Sequence, residues 1–147
     1  MQVVQSYNTA ISRKAPSAPL RFLESKGHIC GEILDYGSGK GADNRFLTDQ
    51  GYSSMEYDPH WNPTDLSGLT FDTILCTYVL NVVEKDVQTK IVESIKSLLK
   101  KDGKAYLTVR RDIKKEGLTS RGLQRNVHLD LDVLKENSSF CIYELSK

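Results

Sequence analysis

Seven consecutive residues, Asp35-Tyr36-Gly37-Ser38-Gly39-Lys40-Gly41, constrain the fold more than any other part of the chain. A short β-prone run, Glu32 to Tyr36, leads into them, and Ala42 to Gln50 after them has helical composition and stops at Gly51. Three glycines in so short a turn let the backbone reverse sharply and approach a bound molecule with no side chain in the way. Strand, glycine turn and helix in that order open a βαβ unit, which needs a right-handed crossover and a parallel neighbour. The expected fold is therefore α/β, with helices on both faces of a mostly parallel sheet.

The rest of the chain extends this pattern. Leu20, Phe22 and Leu23 outline a helix from Ala18 to Lys26, with Pro19 in its first turn and Gly27 at its stop. Strands are expected at Ser53 to Tyr57 and at Phe71 to Cys76. Val87, Ile91, Ile95, Leu98 and Leu99 recur at helical spacing from Asp86 to Lys101, and Asp102-Gly103 is expected to turn the chain into a strand from Ala105 to Arg110. Two later β-prone pieces, Asn126 to Leu129 and Phe140 to Leu145, are joined by Asp130 to Ser139, read as a loop or one helical turn. That is too little chain for a crossover helix, so an antiparallel edge is predicted. Residues 1–17 read as an N-terminal arm and residues 111–125 as a basic loop of one domain spanning 1–147.

Composition narrows the setting. With 147 residues, 39% hydrophobic, and 20 basic against 19 acidic residues, the chain suits one packed domain and not a disordered tail or a wholly polyanion-binding surface. No apolar run approaches the roughly 20 residues of a membrane span, and the start of the chain lacks a secretory pattern, so a cytoplasmic address and no membrane partner are expected. Cys30, Cys76 and Cys141 lie far apart with no histidines at ligand spacing. They are expected to be reduced and mostly buried, with no metal centre.

The ligand follows from two carboxylates. In a sheet of this kind the binding crevice lies outside the carboxyl ends of the strands, and the amides opening the helix after the glycine turn favour polar or anionic atoms. Asp58, at the end of the second strand, is placed to accept both hydroxyls of a ribose. Gly37, Gly39 and Ala42 also satisfy a dinucleotide spacing, but a pyrophosphate would be repelled by Asp35. An α-amino group and a sulfonium would be attracted, and S-adenosylmethionine carries both.

With these residues in view the chain resembles the class I S-adenosylmethionine-dependent methyltransferases. The likeness rests on Asp35-x-Gly37-x-Gly39-x-Gly41, Asp58 and Phe71-Asp72, and it covers about Glu32 to Arg110. It implies a Rossmann-like sheet, S-adenosylmethionine as cofactor, and cofactor contacts from Asp35, Gly37, Gly39, Gly41, Asp58 and Pro59. A narrower likeness is to methyltransferase-like proteins encoded beside DNA phosphorothioation systems, through Thr9-Ala10-Ile11-Ser12-Arg13, the glycine turn, Asp58-Pro59-His60, and Tyr78-Val79-Leu80-Asn81-Val82-Val83-Glu84. One departure is plain: only twelve residues, 59–70, separate Asp58 from Phe71, where the family pattern holds a helix and a third strand. The third strand is expected to be absent, and adenine contact then falls to Asp65 or Leu66.

Methyl transfer from a sulfonium is an in-line displacement, helped chiefly by alignment in a dry site. No general base is demanded of an acceptor that is already nucleophilic, and the chain has no Ser/His/Asp grouping. Tyr78 and Asn81, after the third strand of this chain, are the candidates facing the transferred methyl; core packing for Tyr78 and an Asx cap for Asn81 are the alternatives. Trp61 reads as an adenine platform or, preferably, a cover for the edge left by the absent strand. His128 is expected to be a structural histidine on a short strand. Arg110 to Arg125 holds six basic residues against two acids. Arg110, Arg121 and Arg125 are thus candidate acceptor contacts, to a small molecule or a nucleic acid, if this is not simply a solvated loop. The acceptor lacks a signature here, since the segment after the strand reads Cys76-Thr77-Tyr78-Val79 and no cysteine follows a proline. Alternatives are a catalytically inactive nucleoside-binding subunit, working with a partner subunit or a second copy, and a nicotinamide-dependent enzyme.

Overall fold

A computed structural model describes residues 15–147. Helices α1 (Ala18–Ser25), α2 (Ala42–Asp49) and α3 (Lys85–Ser97) flank strands β1 (Glu32–Tyr36), β2 (Ser53–Tyr57), β3 (Phe71–Thr77), β4 (Leu99–Arg110), β7 (Asp132–Glu136) and β8 (Phe140–Ser146), while β5 (Gly117–Thr119) and β6 (Gly122–Gln124) form a separate hairpin. The main sheet runs β2-β1-β3-β4-β8-β7. Its first four strands are parallel, and β8 joins β4 antiparallel and pairs antiparallel with β7. This is the mostly parallel sheet with an antiparallel edge that the sequence predicts. Among the described residues no strand follows β2 before β3, so β2 forms one edge and the expected third strand is indeed absent.

Burial divides the core by sheet face. Leu34, Ile74, Leu107 and Val109 pack with Val87, Ile91 and Ile95 of α3 on one side. Leu20, Leu23 and Leu47 of α1 and α2 pack with Ile33, Leu75 and Ile142 on the other. Strand alternation sends successive side chains to opposite faces, which is why β3 and β4, covered on both, read as nearly continuous apolar runs. The entrance to α1 is tied to α2, because Ser17 donates from N and Oγ to the buried Asp43 carboxylate, both at 2.7 Å. Among the described residues no helix is long and apolar enough to cross a membrane.

Three expectations are corrected. Helix α3 ends at Ser97, not Lys101, and Asp102-Gly103 lies inside β4 instead of turning into it. Leu99 pairs with Phe71, the register shifts there, and a Cβ on Gly103 would stand 2.8 Å from the Phe71 carbonyl oxygen, so the close approach requires glycine. The last edge strand is Asp132–Glu136, within the stretch read as loop, whereas 126–129 is not a strand and His128 is exposed on it. The cysteines are mostly buried, as expected: Cys76 and Cys141 are buried, Cys30 is exposed, and all three are free thiols. The N-terminal arm, apart from residues 15–17, lies outside the described residues.

Candidate functional site

Three strand ends converge on the glycine turn. Gly37 N and Ser38 N both donate to the Tyr57 carbonyl, at 2.7 and 3.0 Å, which pins the turn to the end of β2. Gly37 has φ 83°, and a Cβ there would overlap Val79 Cγ2 in the turn after β3. Any other residue would therefore meet both a backbone and a steric penalty. Gly39 and Gly41 are also left-handed, and Gly41 caps α2. Asp35, 3% exposed, stands at the end of β1 just before this turn. Ser38 Oγ, inside the turn, is buried with no hydrogen-bond partner. An orphaned hydroxyl of this kind is costly unless a ligand satisfies it.

Asp58 faces the turn from β2, and its carboxylate is already busy. Oδ2 accepts from Gly39 N at 2.9 Å, and Oδ1 accepts from His60 N and Trp61 N at 2.9 and 3.0 Å. A carboxylate has about four acceptor positions, so one remains, on Oδ2. A second ribose hydroxyl would therefore compete with one of these amides. Pro59, with no N–H to offer, leaves those donor positions to His60 and Trp61. Trp61 is 44% exposed, with Lys40 Nζ 5.4 Å from its ring centroid and His60 edge-on, so it does not cover the sheet edge. The Tyr57 phenol is pushed up first by burial and then by the Asp58 charge beside it.

Tyr78 is the one non-glycine residue at positive φ among the described residues, with φ 62°. A left-handed aromatic costs on the order of 1–3 kcal/mol and persists only where its surroundings hold it. Here Tyr78 N donates to the Thr108 carbonyl at 2.9 Å, and the Arg110 guanidinium lies 5.5 Å from the ring centroid. Arg110 in turn grips Asp112 through Nε and Nη2 at 2.8 and 2.9 Å, and that pairing holds the Asp112 carboxyl below the usual carboxylate range.

Other candidates are engaged within the fold. Asn81, 0% exposed, donates from Nδ2 to the Arg125 carbonyl at 2.8 Å and accepts at Oδ1 from Arg110 N at 2.7 Å. Each side of its amide thus has one partner within the fold, and neither bond caps the turn before Asp86. Arg125 donates to the carbonyls of Val83 and Leu80 and to Gln88 Oε1. Arg111 donates to Glu136, the Val127 carbonyl and Tyr143 OH. The expected basic loop is thus a hairpin riveted by arginines turned inward, leaving Lys114, Lys115 and Arg121 exposed. Asp65 and Leu66 line an open cavity of ≈ 570 Å³ with Tyr36, Tyr57 and the last turn of α3. The Asp65 carboxylate accepts from Ser67 N at 2.9 Å, and this bonding to Ser67 lowers its pKa.

Residues 7–136 match the model of a family described as a methyltransferase domain. No curated protein matches the chain. Among solved structures, it is similar to the 1,6-didemethyltoxoflavin-N1-methyltransferase of Burkholderia thailandensis, solved with 1,6-didemethyltoxoflavin and S-adenosylhomocysteine bound. That likeness has 17% identity and TM-score 0.63 over 86% of this chain and 76% of that one. For TehB from Haemophilus influenzae the values are 14% and 0.68 over 96% and 65%. For the glycopeptide N-methyltransferase MtfA, complexed with sinefungin, they are 14% and 0.56 over 65% and 54%. The chain thus spans less than two thirds of the latter two. At such identities the likeness establishes a common fold.

Proposed function

Since the chain belongs to this methyltransferase-domain family, we propose that it binds S-adenosylmethionine over the Asp35–Gly41 turn and transfers its methyl group to an acceptor presented at the ends of β3 and β4. When bound, the cofactor supplies an electrophilic methyl on a sulfonium. The observation that carries this reading is the turn itself. Left-handed glycines open the backbone, Ser38 Oγ is buried without a partner, and the Asp58 carboxylate lies across it with one acceptor position left. Asp35 provides negative charge for a cationic group, Asp58 and Pro59 shape the second wall, and Ser38 Oγ takes a polar atom. Tyr78, held in a strained backbone by its neighbours, is the residue best placed to orient an acceptor, beside Arg110. Asn81 acts through its hold on Arg110 and Arg125. Adenine contact from Asp65 would need its Ser67 turn to open.

Two features support a second reading, that of a cofactor-binding subunit without turnover. The buried Asn81 amide bonds the Arg125 carbonyl and the Arg110 N–H, and three backbone amides occupy the Asp58 carboxylate. Acceptor chemistry stays open under either reading. A nucleic-acid acceptor would meet Lys114, Lys115 and Arg121 through its phosphates.

Calorimetric titration with S-adenosylmethionine, S-adenosylhomocysteine and NAD tests the cofactor. Micromolar binding of the first two, with no heat from NAD, is expected. Asp58→Ala should weaken that binding by about 1–3 kcal/mol, the usual range for a charged hydrogen bond. Unchanged affinity in Asp58→Ala would remove Asp58 from the site, and silence with all three ligands would remove the cofactor. Transfer of radiolabelled methyl to any member of an acceptor panel separates enzyme from subunit.

A further inference from the structure

We propose that the chain forms a two-fold symmetric homodimer in which the outer edge of β2 pairs antiparallel with β2 of a second copy, centred on Met55. Strand β2 pairs with β1 on one side, and among the described residues no backbone group bonds to Ser53–Tyr57 on the other. The Tyr57 carbonyl accepts from Gly37 N, so Tyr57 turns its backbone groups toward β1. Strand alternation turns those of Met55 and Ser53 the same way and those of Ser54 and Glu56 outward. The edge therefore offers the N–H and C=O of these two residues.

Only one antiparallel register uses all of them. With Met55 opposite Met55 of the second copy, Ser54 stands opposite Glu56 and Glu56 opposite Ser54, each pair exchanging both hydrogen bonds. A shift of two residues leaves an outward residue of each strand without a strand partner, and in one direction it sets Glu56 against Glu56. The centred register has no like-charge pair, and a symmetric interface requires this self-complementarity.

The side chains agree with this arrangement. Ser54 Oγ donates to Asn44 Oδ1 at 2.5 Å, and Glu56 Oε1 accepts from Asn62 Nδ2 at 2.6 Å, so neither guards the edge. The opposite edge, β7, carries Asp132, Lys135 and Glu136, the charges with which proteins discourage edge pairing. Met55, 37% exposed, alternates onto the same face as Tyr57, where Leu69, 38% exposed, borders the open cavity. The joint thus has an apolar side where the family pattern would hold more structure.

Sedimentation equilibrium of the whole chain, from micromolar concentration upward, should show a mass that doubles with concentration. Met55→Lys, which sets two ammonium groups across the axis, should stay monomeric with unchanged circular dichroism. Met55→Cys in a Cys30→Ser background should oxidise to a covalent dimer, because the two residues form a non-hydrogen-bonded pair whose Cα atoms lie about 4.5 Å apart, within disulfide reach. Cys30→Ser alone should not. A wild-type chain that remains monomeric overturns the proposal, as does a dimer untouched by Met55→Lys or a Met55→Cys variant that fails to crosslink. If Met55→Lys does not fold, the crosslink decides. No cofactor is needed, so the outcome is independent of the functional reading above.

Discussion

Asn81 shows how a residue that reads as catalytic can be a rivet. An asparagine after a parallel strand looks the same in sequence whether it faces a substrate or bonds the backbone. Its partners here lie 29 and 44 positions away, beyond any local signal. Asn81→Ala strands the Arg110 N–H and the Arg125 carbonyl in a buried place, and is expected to cost about 2–5 kcal/mol in urea unfolding from two unmet groups. Gly37 is the opposite case, legible because a left-handed turn is a local demand. Gly37→Ala should lower stability and weaken cofactor binding, and Gly37→Ala with Val79→Ala should recover the steric part of the loss but not the part set by φ; a double-mutant cycle reads both. Thiol reactivity follows burial. One thiol, that of Cys30, should react with a disulfide reagent in the native protein and three after unfolding, since burial first and the Asp35 charge second push the Cys76 thiol up. Acidification should release Arg110 from Asp112 only below the ordinary carboxylate range. The Asp112 pKa is lowered in the folded chain, so its contribution holds above the unfolded value and is lost as pH falls through the lowered one, which a carboxyl-carbon NMR titration would register.

Among the elements, the hairpin β5–β6 departs furthest from its sequence. Six basic residues in one stretch suggest an exposed binding loop, yet Arg111 and Arg125 spend their guanidinium groups on partners within the fold, and Arg110 pairs with Asp112 at the surface. A three-residue pair of strands has little stability of its own, so its order depends on those rivets. Arg125→Ala should raise amide exchange throughout 117–124 and cost about 1–3 kcal/mol, whereas Arg121→Ala should change stability by no more than about 0.5 kcal/mol. The boundary of α3 with β4 has a related cause. Leu98 and Leu99 continue the helical period, but Leu99 gains more by pairing with Phe71 than a further helical turn could offer.

For the whole molecule, binding and folding are linked. A ligand at about 100 times its dissociation constant stabilises the folded state by about 2.7 kcal/mol; S-adenosylhomocysteine at that excess should raise the melting temperature, and NAD should not. The parallel βα core, the glycine turn with Asp35 and Asp58 at neighbouring strand ends, and the absence of a strand between Asp58 and Phe71 are all legible in the order of residues. These follow from periodicity, from backbone demands met by one residue type, and from the length of chain available, all of which are local. Folding in three dimensions is what makes Asn81 and Arg125 fasteners, brings three amides to the Asp58 carboxylate, makes residues 132–136 and not 126–129 the outer strand, and leaves β2 at an open edge with Ser54 and Glu56 bonded to Asn44 and Asn62. Each of those depends on which distant group arrives to satisfy a donor, an acceptor or an apolar surface, and that is settled when the sheet closes.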